Sequence, residues 1–176
     1  STHNRLLRLG GAALARAFFE IIAIDSQAPA PGRARWFGMD GLDLSRGPRL
    51  VNVVARTTAL DRLLRALQRA GIDGGRALAV SRATPSGLLQ WRIAVRDDGS
   101  LACGGALPTL IEWGSQHPAD AMPACGVRLR ALALRGVPPP AVEALAWAGV
   151  RYVHGPGPAI EAQLDTPRGA VTLASA

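Results

Sequence analysis

The sequence predicts an α+β fold in which strand–helix–strand–strand–strand (βαβββ) units are paired in a curved mixed sheet around a cavity. Three observations predict it. Short apolar segments of strand length recur along the chain. Two helical segments end in ALQRAGI (66–72) and ALAWAGV (144–150), a match 78 residues apart that falls at the same place in the order of elements. Pro- and Gly-rich connections separate the blocks.

The elements follow in order. His3 to Leu9 reads as a strand paired in a hairpin with Phe18 to Asp25, with Gly10 and Gly11 supplying pliable backbone near the turn. The segment FFEIIAID is apolar at both alternating positions apart from one carboxylate, the pattern of a strand buried on both faces. Ser26 to Pro48 is a long connection carrying Arg35-Trp36-Phe37-Gly38. Leu50 to Thr57 reads as a strand, and the helix after it places Leu60, Leu63, Leu64 and Leu67 on one face. Thr58 with Asp61 suits the start of that helix and Gly71 its end. Leu88 to Val95 and Thr109 to Trp113 are further strands, the first with Trp91, Ile93 and Val95 on one face and Gln90 and Arg92 on the other. Leu129 to Leu134 opens the repeat of this block, with a helix started by Pro138 to Pro140 and closed by Gly149. Ala159 to Asp165 and Ala170 to Ala174 are the last strands, joined by a turn at Thr166 to Gly169.

Composition narrows the class. A chain of 176 residues that is 48% hydrophobic and 19% charged buries enough surface for one globular domain. The net charge of +7 is carried by arginine alone, since no lysine is present. These arginines are dispersed and lack interleaved aromatic rows, so the charge attracts phosphate without marking a nucleic-acid site. Cys103 and Cys125 form neither a C-x-x-C pair nor a zinc quartet, which fits a reducing cytoplasm. No apolar run is long enough to span a membrane, and Arg16 and Glu20 break the signal-like stretch from Arg5 to Phe19.

The motifs THNRLLRLG (2–10), FFEIIAID (18–25), RWFGMD (35–40), LLQWRIAV (88–95), LPTLIEWGSQHPAD (107–120) and LDTPRGAVTL (164–173), in this order, resemble the glyoxalase-like branch of the vicinal oxygen chelate superfamily. The resemblance implies a single domain over 1–176: a partial first module at 1–25, a βαβββ unit at 49–114 and a related unit at 128–174. It also implies that the opening strand and helix of the first module precede Ser1. Members of the superfamily hold a divalent ion between strands of each module, so the resemblance makes Glu20 and Glu112 expected ligands and catalytic carboxylates. The opening strand of the second module offers only Asn52 as a polar inward residue.

Read from the residues, Glu20 lies among Phe18, Ile22 and Ile24, where an unpaired carboxylate is costly. A metal, a proton or an arginine (Arg5, Arg56 or Arg92) would relieve it. His117 follows Glu112 closely enough to add an imidazole to a Zn, Ni, Mn or Fe site, or its His-Pro pair simply turns the chain. Arg56, Arg82 and Arg92 are candidate anion binders, with Trp36, Trp91 and Trp113 as an aromatic wall; ordinary core packing is the alternative for the rings. The absence of G-x-S-x-G, G-x-x-x-x-G-K-S/T and H-E-x-x-H removes the commonest hydrolase, nucleotide and zinc-protease signatures. Three functions follow: a metal-dependent isomerase, lyase or dioxygenase acting on a small oxygen-bearing molecule; a non-catalytic small-molecule binder with Glu20 paired to arginine; and a homodimerising domain with an exposed strand edge.

Overall fold

The computed structural model describes residues 2–11, 14–45, 47–85, 87–157 and 159–175, which form ten strands in three sheets, two α-helices and no closed barrel. The predicted α+β class is the one adopted. β1 (Thr2–Arg8) and β2 (Phe18–Ile24) make an antiparallel hairpin with Leu6 opposite Glu20 and Asn4 opposite Ile22. The first complete unit is β3 (Val54–Arg56), α1 (Leu60–Arg69), β4 (Arg76–Thr84), β5 (Gly87–Val95) and β6 (Thr109–Trp113). Its sheet order is β3-β6-β5-β4, with β3 parallel to β6 and the other pairs antiparallel. The second is β7 (Arg128–Arg135), α2 (Pro139–Leu145), β8 (Val150–Val153), β9 (Ala159–Thr166) and β10 (Gly169–Ala174).

The two units share an order of elements but differ in pairing. In the first, the opening strand β3 sits at an edge beside the last strand, β6. In the second, the order is β10-β9-β7-β8, so the opening strand β7 is central, parallel to β8 and antiparallel to β9. The ALQRAGI and ALAWAGV strings therefore end helices that return to differently wired sheets.

Helix α1 forms where its leucines predict. Leu60, Leu63 and Leu67 are buried against Ala94, Leu107 and Leu110 of the sheet side and Ala141 and Leu145 of α2, so the two helices pack on each other. Each such leucine contributes roughly 1.5–3 kcal/mol by leaving water. The helix ends in a Schellman motif: Ile72 N–H donates to the Leu67 carbonyl and Gly71 N–H to that of Gln68, with Gly71 at φ 73°. Its start differs from expectation. The N-cap is Ala59 rather than Thr58, and Thr57 Oγ1 instead accepts from the Ala59 amide. Helix α2 likewise stops at Ala146, itself left-handed, before Gly149 is reached.

Alternation along β5 and β6 separates two sides of the first sheet. Ala94 and Leu110 face the helices. Ile93, Val95 and Ile111 face away and are packed by Trp36, Phe37, Leu78, Val80, Trp91 and Trp113. This helix-free side is what the hairpin approaches. The expectation that FFEIIAID is buried on both faces is not met: Ile21 is 61% exposed and Leu7 40%, because β2 pairs only with β1 and nothing described covers the Leu7–Ile21 face.

Candidate functional site

Parity places the candidate residues in two groups. Glu112 stands opposite Arg92 in the β5–β6 register, on the helix side. There Arg92 Nη1 donates to Glu112 Oε2 at 3.0 Å, and its Nη2 donates to Asp61 Oδ1 of α1 at 2.7 Å. The hydrogen bond from Arg92 holds the Asp61 carboxyl below its usual range, and Asp61 in turn raises Arg92. This triad fastens α1 to the sheet. Glu112 and Arg92 thus lie on the opposite side of the sheet from Trp91 and Trp113, which corrects the expectation that they share one cavity with them.

Glu20 belongs to the other group. Asn4, across the hairpin, donates from Nδ2 to Glu20 Oε1 at 2.5 Å, and Asn4 Oδ1 accepts from Arg82 Nη1 at 3.4 Å. Arg82 follows Leu78 and Val80 along the helix-free side of β4. A chain of polar contacts, Glu20–Asn4–Arg82, therefore joins the hairpin to the sheet. The expected partner of Glu20 is a metal, a proton or an arginine; its direct partner is an amide, with the guanidinium one step further. Asn4 was missed as a site residue, although THNRLLR places it on the Leu6 face that alternation predicts.

Between the ends of this chain the sheet presents rings. Trp91 and Trp113 are cross-strand partners with centroids 5.5 Å apart. His117 closes on Trp113 edgewise at 5.4 Å and on Phe18 of the hairpin at 6.0 Å. Arg56 is in register with Ile111, hence on the same helix-free side, and its exposed side chain makes no hydrogen bond or ion pair among the described residues. Trp36 lies further along the same side, under the Arg33 guanidinium at 4.6 Å, in a turn where Phe37 and Gly38 are both left-handed. Asn52 is occupied by Thr109, to whose Oγ1 it donates at 3.1 Å.

His117 is 8% exposed, and its Nδ1 accepts the Ala119 amide at 3.2 Å. An accepting Nδ1 leaves the proton of the neutral ring on Nε2. Burial lowers the His117 pKa from 6.5; Asp120 opposes the shift, while Arg16 and Arg56 reinforce it.

These facts test the expected metal set. Glu112 is turned to the helix side and ion-paired, His117 carries its proton on the nitrogen that would have to ligate, and Glu20 remains alone. The residues do not fit a divalent ion held by Glu20, Glu112 and His117, and no group of three or more His, Cys, Asp or Glu side chains among the described residues is placed to hold one. Two spaces lie elsewhere. One of about 20 Å³, room for roughly a single water, is lined by Phe37, Leu67 and Ala94. A surface groove of about 610 Å³ runs beside α1, past Arg65, Gln68 and Arg76.

The fold and this arrangement define an α+β domain with polar and aromatic side chains gathered on the helix-free side of a βαβββ sheet. The chain belongs to the glyoxalase-like domain family, whose model matches residues 1–150, and through it to the vicinal oxygen chelate superfamily. No curated protein and no solved structure matches it. Among the described residues no helix is long and apolar enough to cross a membrane.

Proposed function

We propose that this chain binds a small organic acid where the β1–β2 hairpin meets the helix-free side of the first sheet, without a divalent ion. The carrying observation is the Glu20–Asn4–Arg82 chain, which links the hairpin to β4 on the side of the sheet that carries Trp91 and Trp113. The chemistry divides among the residues. The tryptophan rings offer an apolar surface to the body of the ligand, and an arginine of this side takes its carboxylate. Glu20, with one oxygen engaged by Asn4, accepts from a hydroxyl of the ligand. Half-burial of Glu20 and Asn4 favours this role, because a partly desolvated acceptor discriminates strongly against ligands that leave it unpaired.

Mandelate and phenylacetate, which differ by one hydroxyl, are suitable probes. Mandelate is expected to quench tryptophan emission saturably, and Glu20→Ala to weaken mandelate about tenfold while leaving phenylacetate within about twofold. EDTA is expected to change neither. No saturable quenching by either acid at millimolar concentration overturns the reading. Binding lost in EDTA and restored by Zn, Ni, Mn or Fe returns the metal-dependent lyase, isomerase or dioxygenase in its place.

A further inference from the structure

Of the ten strands described, β10 is the one that carries no charged residue, and it lies at the edge of its sheet. The other edges of the two four-stranded sheets are defended: β3 carries Arg56, β4 carries Arg76 and Arg82, and β8 carries Arg151 within only four residues. Charge and shortness keep another strand from adding to an edge, because the newcomer must desolvate the charge or finds too few backbone groups to pair with. β10 has neither defence and no proline, and its pairing with β9 runs without a bulge from Gly169 to Ala174.

The turn before β10 fixes which of its backbone groups face outward. Pro167 and Arg168 form a two-residue connection, so Thr166 and Gly169 are a pair that exchanges both backbone hydrogen bonds. That phase repeats at every second residue, and the Ser175 amide, donating to the Ile160 carbonyl at 2.9 Å, keeps it. Gly169, Val171 and Leu173 therefore turn their N–H and C=O groups toward β9. Ala170, Thr172 and Ala174 turn theirs to the open edge, where no described backbone group meets them. The apolar side chains are exposed there too. Val171 stands opposite Leu164 and Leu173 opposite Ala162, on the side of the sheet that forms the second core, yet Val171 is 42% exposed.

We propose that β10 is a homodimer interface, at which two copies of the chain join their second sheets edge to edge, antiparallel, about a two-fold axis at Thr172. Three outward-facing residues spaced evenly about Thr172 are complementary to their own copy. Thr172 pairs with the partner's Thr172 and Ala170 with the partner's Ala174, each pair exchanging both backbone hydrogen bonds. In that register Val171 faces the partner's Leu173, which covers an apolar side chain that the single chain leaves in water. The match selects a second copy over an unrelated peptide, since register, threonine pair and apolar pair are all supplied by one strand. It does not depend on the ligand reading, which concerns the hairpin and the first sheet.

Sedimentation of the full chain from about 5 to about 500 µM is expected to show a monomer–dimer equilibrium, as suits a small contact. A monomer throughout overturns the proposal. Thr172→Pro removes an outward N–H that the fold itself does not use, so the dimer should be lost while the circular dichroism spectrum is kept. Thr172→Lys and Thr172→Glu each place like charges across the axis and are expected to weaken association at least about fivefold, whereas an equimolar mixture of the two returns to within about threefold of wild type. This pair carries the test even if the proline variant does not fold. Association undiminished in both charged variants puts the interface elsewhere on the molecule, and a mixture that stays monomeric takes the axis away from Thr172; either result overturns the proposal.

Discussion

Glu112 and Trp113 are neighbours in sequence and serve opposite sides of one sheet. Glu112 is tied to Arg92 on the helix side, Trp113 to Trp91 and His117 on the other. Alternation along β5 already separates Trp91 from Arg92 in the sequence, so both could not line one pocket. The side on which Glu112 lies follows from the Arg92–Glu112 register, which depends on pairing between strands 20 residues apart and leaves no local mark. Glu112→Gln is therefore expected to leave mandelate affinity unchanged and to shift stability by less than about 1 kcal/mol, as for other partly exposed ion pairs. Equilibrium urea unfolding and the quenching titration check both. Asp61 adds a pH signature. Its carboxyl is held below 3.8 in the fold, so its stabilisation is complete above that value and is lost as pH falls through the lowered one. Acid unfolding of Asp61→Asn should lack that segment of the curve. His117 works at higher pH: with its folded pKa below 6.5, the unfolded chain takes up the proton first, so stability declines as pH drops beneath about 6.5. His117→Gln is expected to flatten the decline in urea midpoint between pH 6.5 and 5; an unaltered slope would refute the assignment.

Helix α1 was legible because its signals are local. A leucine repeat at three-and-four spacing and a terminal glycine specify a helix and its Schellman end without reference to any distant residue. Leu67→Ala should cost about 2–5 kcal/mol in urea unfolding, since Leu67 packs against the sheet and its own cap at once. Strands were read less well. β4 was not anticipated: RALAVSRAT intersperses arginine and serine among its apolar residues, as suits an edge strand paired only with β5. β8 has four residues, too few for alternation to register. β2 erred in the other direction, because an unbroken apolar run reports affinity for burial and not whether a neighbour arrives to provide it. Ile21→Lys is accordingly expected to lie within about 0.5 kcal/mol of wild type, and a larger loss would mean that this face is covered in solution.

At the scale of the molecule, the α+β class and the family resemblance were both readable, since they rest on the sequence of elements and on motifs spread over the chain. The wiring was not. Similar helix endings follow an opening strand that lies at the edge of its sheet in one unit and in the centre in the other, a difference set by long-range strand pairing that leaves no local mark. The site inherits this dependence, because the hairpin, β3, β4 and β6 all contribute to it and no short segment holds more than two of its members.

One practical rule comes from the one-residue step between Glu112 and its neighbours. An engineer wishing to install a chelating carboxylate on the side of the sheet where Glu20 already stands should leave position 112 untouched and work at 111 or 113. Changing the acid that is there now would only take one of two carboxylates from Arg92 and bring no oxygen nearer to the ligand.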